Sequence, residues 1–549
     1  MQLERSIIEI LNNRGISAAE DVAEFLSDKP QRMYDPFLLK DMEAGVDLVL
    51  SAIDEGRRIC VYGDYDADGV TSVALLKDVL TALGGQVTYY IPSRFDEGYG
   101  LNSAALDKIK AAGVSLLITV DCGCTSAAEA RHAKEIGLDI LITDHHAMRE
   151  ERPDCLLIDP QQKDCPYPFK FLAGVGVAFK LAQALCETAG LPKQVLTRNL
   201  DLVGIGTIGD IVPLVDENRT LAKYGLRAMN LSRRPGLRAL IEGIGLHQGE
   251  IDSGKVSFGI VPHINAAGRM GDAALAARLM LTEDEARAQE LTARLKECND
   301  RRKRIQDGIY RDCLDIIHRD GEPGRFLLVE LTEAHEGVTG IVAGKLKETF
   351  YLPSLVVTDI EDGLCKGTGR SIDTINIFEI LNRRADLFER FGGHAAACGF
   401  TIKKENVPAL RAHLAAATAE LPEEAFRRQI KADAVMEGRE VTPAFTAQQK
   451  LLEPFGKGNP RPKVAVRLMP GRVNRMGNAG QYLSFGGSLD NGASIRGVDF
   501  KRADETEPAL QKAAAEGRFL RLIGEIEEQT WKDRTYVQIN LAGVEGEES

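Results

Sequence analysis

The 549-residue sequence has one tryptophan and lacks paired Cys-x-x-Cys motifs. Its ten cysteines are scattered through mainly apolar segments. This distribution predicts reduced, buried thiols and a cytoplasmic protein, not a disulfide framework. Cys122 and Cys124 lie close together, but a zinc site would need a second pair of ligands. Apolar runs long enough to span a bilayer are also lacking, and the charged first residues resemble no signal peptide, so no membrane partner is expected.

The sequence also lacks positive charge in excess, since its net charge is −13. This value argues weakly against a partner that is bound through overall electrostatics. It does not exclude nucleic acid, because clustered metal-binding carboxylates add to the acidic count and a local basic groove can still bind phosphates. The length suits roughly three or four domains. Residues 1–50 predict a helical, polar-faced N-terminal segment.

Three acids at alternate positions follow the first clear strand pattern. Residues 59–62 predict a buried strand and residues 70–83 predict a helix, with Asp64, Asp66 and Asp68 between them. Such acids lie at the carboxyl edge of a sheet, where open α/β folds bind ligands. Three close carboxylates repel one another unless a cation lies among them. For this motif alone, a solvated acidic turn is the alternative.

The same arrangement recurs along the next hundred residues. A predicted strand over 115–120 ends at Asp121, and another over 139–143 ends at Asp144, His145 and His146. Alternating strands and helices indicate a parallel sheet, so these side chains should meet at one edge. Carboxylates with imidazole and no thiolate favour Mn²⁺ or Mg²⁺, and the number of acids favours two ions.

Asp210 is a further candidate ligand, since it ends a predicted helical region over 171–208. The pattern alone does not separate a metal ligand from a residue that caps a turn before Pro213.

The motifs together resemble the DHH phosphoesterase family, in its RecJ-type branch of exonucleases specific for single-stranded DNA. Residues 63–69, 119–121, 144–146 and 206–210 occur in the family's order, and 258–270 are similar to a further motif of that branch. Residues 367–371 and 392–400 are similar to the two hallmarks of the associated DHHA1 domain. The resemblance implies that the metal ligands are Asp64, Asp66, Asp68, Asp121, His145 and Asp210.

The resemblance also places His146 beside the substrate. Tyr62 occupies a position where related pyrophosphatases and cyclic-dinucleotide phosphodiesterases have histidine, which favours the exonuclease branch. One departure concerns His263, which stands where the family pattern has arginine and puts one phosphate contact in doubt.

Residues 282–320 predict a long connecting helix that begins with a capping box formed by Thr282 and Glu285. Its basic stretch, residues 301–304, is either a solvated face or one wall of a groove that contacts phosphates. The preceding part, residues 51–281, is the predicted catalytic DHH domain, and residues 321–425 predict a second α/β domain of the DHHA1 type.

In that second domain, residues 367–371 are interpreted as a tight turn with backbone N–H groups, a hydroxyl and a guanidinium, which is the chemistry of a phosphate cradle. Related exonucleases bind the 5′ end in such a cage. The predicted substrate-binding residues are Arg94, Arg269, Thr368, Arg370, Ser371 and His394.

Residues 426–549 have short alternating apolar runs separated by glycine-rich turns, which suit an OB-like β-barrel. Its cations and aromatics, such as Arg475, Tyr482 and Trp531, are typical of a single-strand platform, and an ordinary barrel surface is the alternative.

The resemblance implies a 5′→3′ exonuclease that releases 5′-mononucleotides from single-stranded DNA in repair and recombination, with Asp66, Asp68, Asp121, His145, His146 and Asp210 as catalytic residues. It also suggests a single-strand-binding protein and a helicase as partners. Two alternatives remain at this point. One is a phosphodiesterase of oligoribonucleotides or cyclic dinucleotides, and the other is a non-catalytic replication scaffold.

Overall fold

The computed structural model describes residues 3–98, 100–148, 151–321, 323–477, 479–531 and 534–545, although the side chains of residues 530, 531 and 534 are not among those described. In these ranges no helix has the length and apolar character needed to cross a membrane. All ten cysteines are free thiols. Single 3₁₀ turns connect several elements: Pro36–Leu38, Glu361–Gly363, Ala385–Leu387, Lys404–Asn406, Glu423–Phe426, Gly438–Glu440 and Lys450–Leu452.

The first domain is built on a parallel sheet in the order β2-β1-β3-β4-β5, as the alternating pattern predicts. Its central strands are buried on both faces, which explains their continuous apolar runs. The elements are α1 (Arg5–Asn13), α2 (Ala19–Leu26), α3 (Met42–Asp54), β1 (Arg58–Gly63), α4 (Ala67–Ala82), β2 (Gln86–Tyr90), α5 (Ser103–Ala111), β3 (Leu116–Val120), α6 (Ala127–Glu135), β4 (Asp139–Thr143) and β5 (Leu156–Ile158).

A helical region completes this domain, and α4 packs between the sheet and two of its helices, α7 and α9. The helices are α7 (Gly174–Thr188), α8 (Lys193–Thr197), α9 (Leu200–Gly209), α10 (Asp216–Leu231), α11 (Pro235–Gly243), α12 (Ser253–Lys255), α13 (Val261–Arg269), α14 (Ala274–Leu281) and α15 (Glu285–Asp320). One π-helical turn, Val256–Ile260, joins α12 to α13.

A buried ion pair fastens α7 to α10 in the interior of this domain. Lys180 forms a salt bridge with Glu217, and both side chains are wholly excluded from solvent. The Lys180 ammonium also donates to the Tyr34 carbonyl at 2.7 Å. The Tyr167 hydroxyl donates to Glu217 at 2.5 Å. The pair is therefore surrounded by hydrogen bonds that compensate for burying its charges.

The long connecting helix is α15, but the predicted capping box is wrong. Asp284 caps the helix by accepting a hydrogen bond from the Arg287 N–H at 2.6 Å. Thr282 instead accepts from the Asp284 N–H at 3.3 Å, outside the helix. An aspartate one residue before the helix competes well for this position, because its carboxylate is as good a cap as a hydroxyl.

The second α/β domain has a mixed sheet in the order β6-β7-β8-β10-β9. Its elements are β6 (Leu327–Leu331), α16 (Glu336–Phe350), β7 (Ser354–Asp359), β8 (Leu364–Arg370), α17 (Ile377–Asn382), β9 (Phe388–His394), β10 (Ala397–Lys403) and α18 (Val407–Ala419). The predicted tight turn over 367–371 is wrong, because residues 364–370 form the central strand β8. Its backbone pairs with β7 and β10, so a phosphate can be bound here by side chains and not by a cradle of free N–H groups.

The C-terminal domain is a barrel, as predicted. Its sheet runs β11-β12-β13-β14-β16-β15 and closes through a pairing of β12 with β15. The elements are β11 (Ala434–Met436), α19 (Pro443–Gln449), β12 (Val464–Met476), β13 (Tyr482–Leu489), β14 (Ser494–Asp499), α20 (Ala503–Glu516), β15 (Leu520–Trp531) and β16 (Arg534–Val544). Arg475 pairs with Asp504 and Glu507, and the Trp531 side chain lies outside the described residues.

The helices α1 and α2 pack into the core of this barrel. Ile7, Ile10, Leu11 and Phe25 belong to the same apolar cluster as the barrel strands. From α10 of the first domain, the buried Arg219 guanidinium lies 3.6 Å from the centre of the Phe25 ring. It donates to the backbone carbonyls of residues 25, 452 and 453. The two ends of the described chain are thus tied together and to the first domain.

Candidate metal centre

The three acids after β1 differ in how the backbone holds them. Asp66 is the N-cap of α4, and its carboxylate accepts from the N–H groups of Asp68 at 2.9 Å and Gly69 at 3.2 Å. Asp68 lies in the first turn of α4 and is fully buried. Asp64 is also buried, and one of its carboxylate oxygens has no hydrogen-bond partner among the described residues. This oxygen is available to a cation.

The first turn of α7 positions Asp68. Its two carboxylate oxygens accept from the N–H groups of Gly174 at 2.7 Å and Val175 at 2.8 Å. A Cβ at residue 174 would lie 2.6 Å from the Asp121 Cβ, and one at residue 206 would lie 2.8 Å from an Asp68 oxygen. Glycine is therefore required at both positions, because any side chain would displace a carboxylate of the site.

His145 lies among the acids that follow the other strands. Its Nε2 is 3.1 Å from Asp121, 3.7 Å from Asp210 and 3.9 Å from Asp68. Asp121 follows β3 with a backbone φ of 60°, a conformation that is uncommon outside glycine and that clusters at functional sites. Asp210 ends α9. The edge of the sheet thus brings together residues up to 146 positions apart, from Asp64 to Asp210.

Asp144 orients both histidines and is fully engaged in doing so. One oxygen accepts from the backbone N–H groups of His145 at 2.7 Å and His146 at 3.2 Å, and lies 2.7 Å from Nδ1 of the His146 ring. The other oxygen accepts from the Cys124 N–H at 2.8 Å. Burial opposes ionisation, but the hydrogen bond and charge of His146 outweigh it and lower the pKa of Asp144 below its usual value.

The side chains of the described residues form three groups of possible metal ligands: one is Asp121 with Asp144, His145 and His146, and the other two suit a pair of divalent ions. Ligand atoms of Asp64, Asp66 and Asp121 lie within 4.8 Å of one another, and so do those of Asp68, His145 and Asp210. The contact between His145 and Asp121 joins the groups, which we call the metal rim.

Charge repulsion at the metal rim favours a bound cation. Burial, reinforced by Asp210, raises the pKa of Asp68 to about 7. Burial and neighbouring carboxylates raise the pKa of Asp64 and of Asp121 well above the usual range. For His145, burial opposes protonation, yet Asp68 and Asp210 raise its pKa. Buried acids that cannot all ionise alone, together with an oxygen lacking a partner, fit Mn²⁺ or Mg²⁺.

Near the metal rim lies a group of four arginines, which we call the arginine cluster: Arg94, Arg269, Arg302 and Arg370. Burial and the charges of the other three lower the pKa of Arg269 to about 10. Arg94 lies over the Tyr65 ring at 5.0 Å, and Arg269 donates to the Gly337 carbonyl at 2.8 Å. In the part of the chain that the structure describes, none of the four forms a salt bridge with a carboxylate. Such a cluster fits an anion that carries more than one charge.

The remaining predicted substrate residues lie on the second α/β domain. Thr368 shares a face of β8 with Arg370, and their side chains are 3.4 Å apart. Arg370, Ala397 and His394 stand in register on adjacent strands, with His394 exposed at the end of β9. Ser371 is buried, and its hydroxyl has no hydrogen-bond partner among the described residues. Thr368 thus lies beside Arg370 of the arginine cluster, with His394 farther along the edge of the sheet.

Asn265 is a site residue that the sequence interpretation missed. Its side-chain oxygen accepts from the Ala67 N–H at 2.7 Å and so fastens the acidic loop to α13. Gly268 lies against the same loop, because a Cβ there would be 2.8 Å from the Tyr65 carbonyl. The signal in the sequence that could have identified Asn265 is its position as a polar residue between apolar and small residues in the 258–270 motif.

His263 has a structural contact in place of the doubtful phosphate contact. Its Nδ1 donates to the Gly259 carbonyl at 2.7 Å. Its Nε2 accepts from the Asn299 amide at 2.9 Å. Asn299 in turn accepts from Arg302 at 2.7 Å. Burial lowers the pKa of His263, so the neutral ring joins the π-helical turn to α15.

Three family models match the chain. They are the DHH family, N-terminal domain, over residues 58–207, the DHHA1 domain over 324–420, and the RecJ OB domain over 432–543. The matches follow the three folded regions described above.

Two relatives and one solved structure show how far this likeness extends. A single-stranded-DNA-specific exonuclease RecJ from Bacillus subtilis (strain 168) is 39% identical over 97% of this chain and 67% of the relative. The protein of that name from Thermus thermophilus is 36% identical over 86% of this chain and 67% of the relative. The crystal structure of RecJ in complex with Mn²⁺ from Thermus thermophilus superposes with a TM-score of 0.83 at 32% identity, over 98% of this chain and 76% of that one.

Proposed function

The chain belongs to the RecJ family of single-stranded-DNA-specific exonucleases, and we propose that its metal rim and arginine cluster together remove nucleotides from the 5′ end of single-stranded DNA. The enzyme is a nuclease with Mn²⁺ or Mg²⁺ as cofactor, since solved RecJ structures hold these ions and this chain has a matching acidic and histidine cluster. The proposal concerns which residues perform each step, the polarity of cleavage and the product.

The observation that carries the proposal is the proximity of the two ligand groups to the arginine cluster. The charge of Arg94 acts on Asp64, and that of Asp66 acts on Arg269, so the two sets lie within electrostatic range. Acids that need cations and arginines that need an anion, facing each other, suit a phosphodiester. A terminal phosphate on the arginines would place an internal phosphate at the acids.

In this assignment Asp64, Asp66 and Asp121 hold one ion, and Asp68, His145 and Asp210 hold the other. The bound ions supply a water of lowered pKa and a Lewis acid for the phosphoryl oxygens.

His146 is assigned to the leaving 3′-oxygen. Its side chain is 43% exposed, and its ring is oriented by Asp144. Burial opposes protonation, but the hydrogen bond with Asp144 raises the pKa of His146, which favours the protonated ring that a general acid needs.

The 5′ end is assigned to Arg94, Thr368 and Arg370, with Arg269, Ser371 and His394 as further substrate residues. Because two domains supply these groups, the distance from the strand end to the metal rim is set by how the domains pack. A site that fixes the distance between the 5′ end and the scissile phosphate cleaves only near that end, as an exonuclease does. A slot between the two domains that is as narrow as a single strand would exclude a duplex.

Digestion of end-labelled DNA with Mn²⁺ or Mg²⁺ tests the proposal. We expect labelled 5′-mononucleotide from a 5′-labelled single strand at the earliest times, with the duplex form resistant. Mononucleotides that appear first from a 3′-labelled strand would contradict the polarity. The phosphodiesterase of short or cyclic substrates is not favoured by the RecJ OB match, and the scaffold is not favoured because every proposed ligand is present. Cleavage of dinucleotides alone would favour the phosphodiesterase. A wild-type protein that cleaves no substrate would favour the scaffold.

A cytoplasmic location, and a single-strand-binding protein and a helicase as partners, stay predictions. The free thiols support the first, and family membership alone supports the others.

A further inference from the structure

The first two turns of α16 contact arginines from both α/β domains. The Arg269 guanidinium, at the end of α13, donates to the Gly337 carbonyl at 2.8 Å. The Arg370 guanidinium, at the end of β8, lies beside Gly340, where a Cβ would be 3.1 Å from its Nη2 atom. A short stretch of one helix thus positions two members of the arginine cluster that come from different domains.

Both contacts depend on glycine. A Cβ at Gly337 would lie 2.8 Å from the Arg269 carbonyl oxygen, a distance at which the backbone of α13 would have to move. A Cβ at Gly340 would instead meet the far end of the flexible Arg370 side chain. Inside a helix, each glycine costs about 1 kcal/mol relative to alanine. We interpret this cost as the consequence of bringing α16 close to the arginines.

An aromatic contact joins the loop that carries Arg94 to the start of the same helix. The Phe95 ring lies edge-on to the His335 ring, with 5.5 Å between the ring centres and 89° between the planes. His335 is the N-cap residue of α16, and Phe95 Cζ lies 3.2 Å from where a Cβ at Gly337 would be. Burial and the charge of Arg301 lower the pKa of His335, which favours a neutral ring. Edge-to-face packing is a preferred arrangement of aromatic rings, so this contact fixes the loop against the second domain.

The loop itself is closed by hydrogen bonds, so Arg94 and Phe95 move together. The Glu97 carboxylate accepts from the Ser93 N–H at 2.8 Å and from the Tyr90 hydroxyl at 2.6 Å. The Glu97 N–H donates to the Ser93 carbonyl at 3.0 Å. Arg94 and Phe95 lie between these two anchoring residues in the sequence. Movement of the Phe95 ring away from α16 would therefore take Arg94 with it.

The same loop is also in contact with the metal rim. The Arg94 guanidinium lies 5.0 Å from the centre of the Tyr65 ring, and Tyr65 stands between Asp64 and Asp66 in the sequence. The charge of Arg94 also acts on the Asp64 carboxylate. The start of α16 is thus connected through Phe95 and Arg94 to the acids that follow β1, although it belongs to the other domain.

We propose that Phe95, His335, Gly337 and Gly340 are positioning residues, which hold the arginine cluster at a fixed distance from the metal rim and so set the length of the released product. This inference rests on the proposed function and adds the contacts that decide where the strand is cut. While the arginines hold the terminal phosphate at that distance, the next phosphate along the strand lies at the metals, and one nucleotide is released. If the arginines lose their position, the strand end advances and a later phosphate is cut.

The first test moves a guanidinium without disturbing the helix beside it. Alanine stabilises a helix interior relative to glycine, so Gly340→Ala should remain folded while its methyl group displaces the Arg370 guanidinium. The matched control is Gly344→Ala, one turn further along α16, where a Cβ would be at an ordinary 3.9 Å from Arg370 Cγ. The measured quantity is kcat/KM with Mn²⁺ on 5′-phosphorylated and 5′-hydroxyl single strands. The preference for the 5′ phosphate should fall about 2- to 10-fold in Gly340→Ala, as expected for one lost hydrogen bond, and should stay unchanged in Gly344→Ala.

The second test measures the length of the product. Phe95→Ala and His335→Ala remove the contact between the loop and α16, so a 5′-labelled strand should yield labelled dinucleotide beside the mononucleotide at the earliest times. Phe95→Tyr keeps the ring and should yield labelled mononucleotide alone, as the wild type does. A loss of folding stability would lower the amount of active enzyme but would not change the length of the first product.

Labelled mononucleotide alone from Phe95→Ala and His335→Ala, together with an undiminished phosphate preference in Gly340→Ala, would overturn the inference. If Phe95→Ala or His335→Ala is unfolded, as its unfolding midpoint would show, the phosphate preference of Gly340→Ala decides. A wild type that releases no mononucleotide would instead contradict the proposed function.

Discussion

The buried carboxylate of Glu217 and the buried carboxylates of the metal rim, all in the first domain, differ in how their negative charge is compensated. Glu217 is paired with Lys180 in the interior and accepts a further hydrogen bond from Tyr167, so its charge is compensated by the chain itself. At the metal rim, Asp64 has an oxygen without a partner among the described residues, and burial with neighbouring acids raises the pKa of Asp64 and Asp68. Glu217 therefore has a structural role, whereas the charge of the metal rim is compensated only when a cation binds from solution.

The arginine cluster resembles the metal rim in lacking charge compensation from the described residues, but its charge is positive. Arg269 and Arg370 donate to backbone carbonyls at 2.8 Å, and Arg302 donates to the neutral side chains of Gln306 and Asn299, so these guanidiniums keep their charge for an anion. Two neighbouring clusters whose charges the described residues leave uncompensated therefore mark the site better than any single residue does.

The largest expected effect is on the metal rim. Asp121→Ala should lower kcat by at least about 10³-fold, because under the proposed assignment it removes a ligand from one ion and a neighbour of His145 from the other. The measurement is mononucleotide release from a single strand, together with strand binding, which should stay measurable. The control is Asp139→Ala, at the other end of the same sheet, where the acid pairs with Arg57 and the effect should be small. Retained turnover in Asp121→Ala would remove this residue from the site.

The next effect tests the paired set. Lys180→Met should destabilise the protein by about 3–5 kcal/mol, because it leaves Glu217 buried without its partner. Chemical unfolding of the metal-free protein measures this change. Lys134→Met is the matched control, since Lys134 pairs with Asp154 where both side chains are exposed and about 0–1 kcal/mol is expected. Equal changes in the two variants would mean that the Lys180 pair is no more important than a surface pair.

A smaller effect is expected for the arginine cluster. Arg370→Ala should lower kcat/KM about 10- to 100-fold on a 5′-phosphorylated strand, the loss expected for a hydrogen bond between charged groups. The loss should be less on a 5′-hydroxyl strand, which lacks the anion. Arg411→Ala is the control, because Arg411 pairs with Glu330 on the same domain. An equal loss on both strands would refute the assignment of Arg370 to the strand end.

The smallest effect is the pH dependence of stabilisation by Mn²⁺. Because the pKa of Asp68 is raised to about 7 in the folded protein, the folded state binds more protons than the unfolded state between about pH 4 and 7. The metal-free protein should therefore lose stability as the pH rises through this window. Mn²⁺ should raise the unfolding midpoint more at about pH 8 than at about pH 6, by roughly 2–4 °C for each kcal/mol of stabilisation. The same shift at both values, or a full shift in Asp121→Ala, would contradict the metal assignment.

The metal rim could be predicted from the sequence because its geometry follows from topology. Parallel strands end at one edge, so Asp66, Asp121 and His145 had to meet once the strands were recognised. Asp210 needed the family resemblance, since it ends a helix.

Features that depend on contacts distant in sequence could not be predicted. The pairing of Lys180 with Glu217 and the role of Asn265 join elements whose packing has no local pattern. The interpretation of residues 367–371 as a turn that offers N–H groups, a hydroxyl and a guanidinium is wrong, because two neighbouring strands pair with this stretch. A Cβ at Gly367 would lie 2.1 Å from the Phe400 ring, so this glycine makes room for a side chain of β10.

The shared core of α1, α2 and the C-terminal barrel has a consequence for how this chain matures. Phe25 and Leu541 belong to one apolar cluster, so α2 acquires its neighbours in the barrel only when more than 400 further residues have been synthesised. The barrel strands expressed without residues 3–26 would expose that cluster to water and would be prone to aggregate.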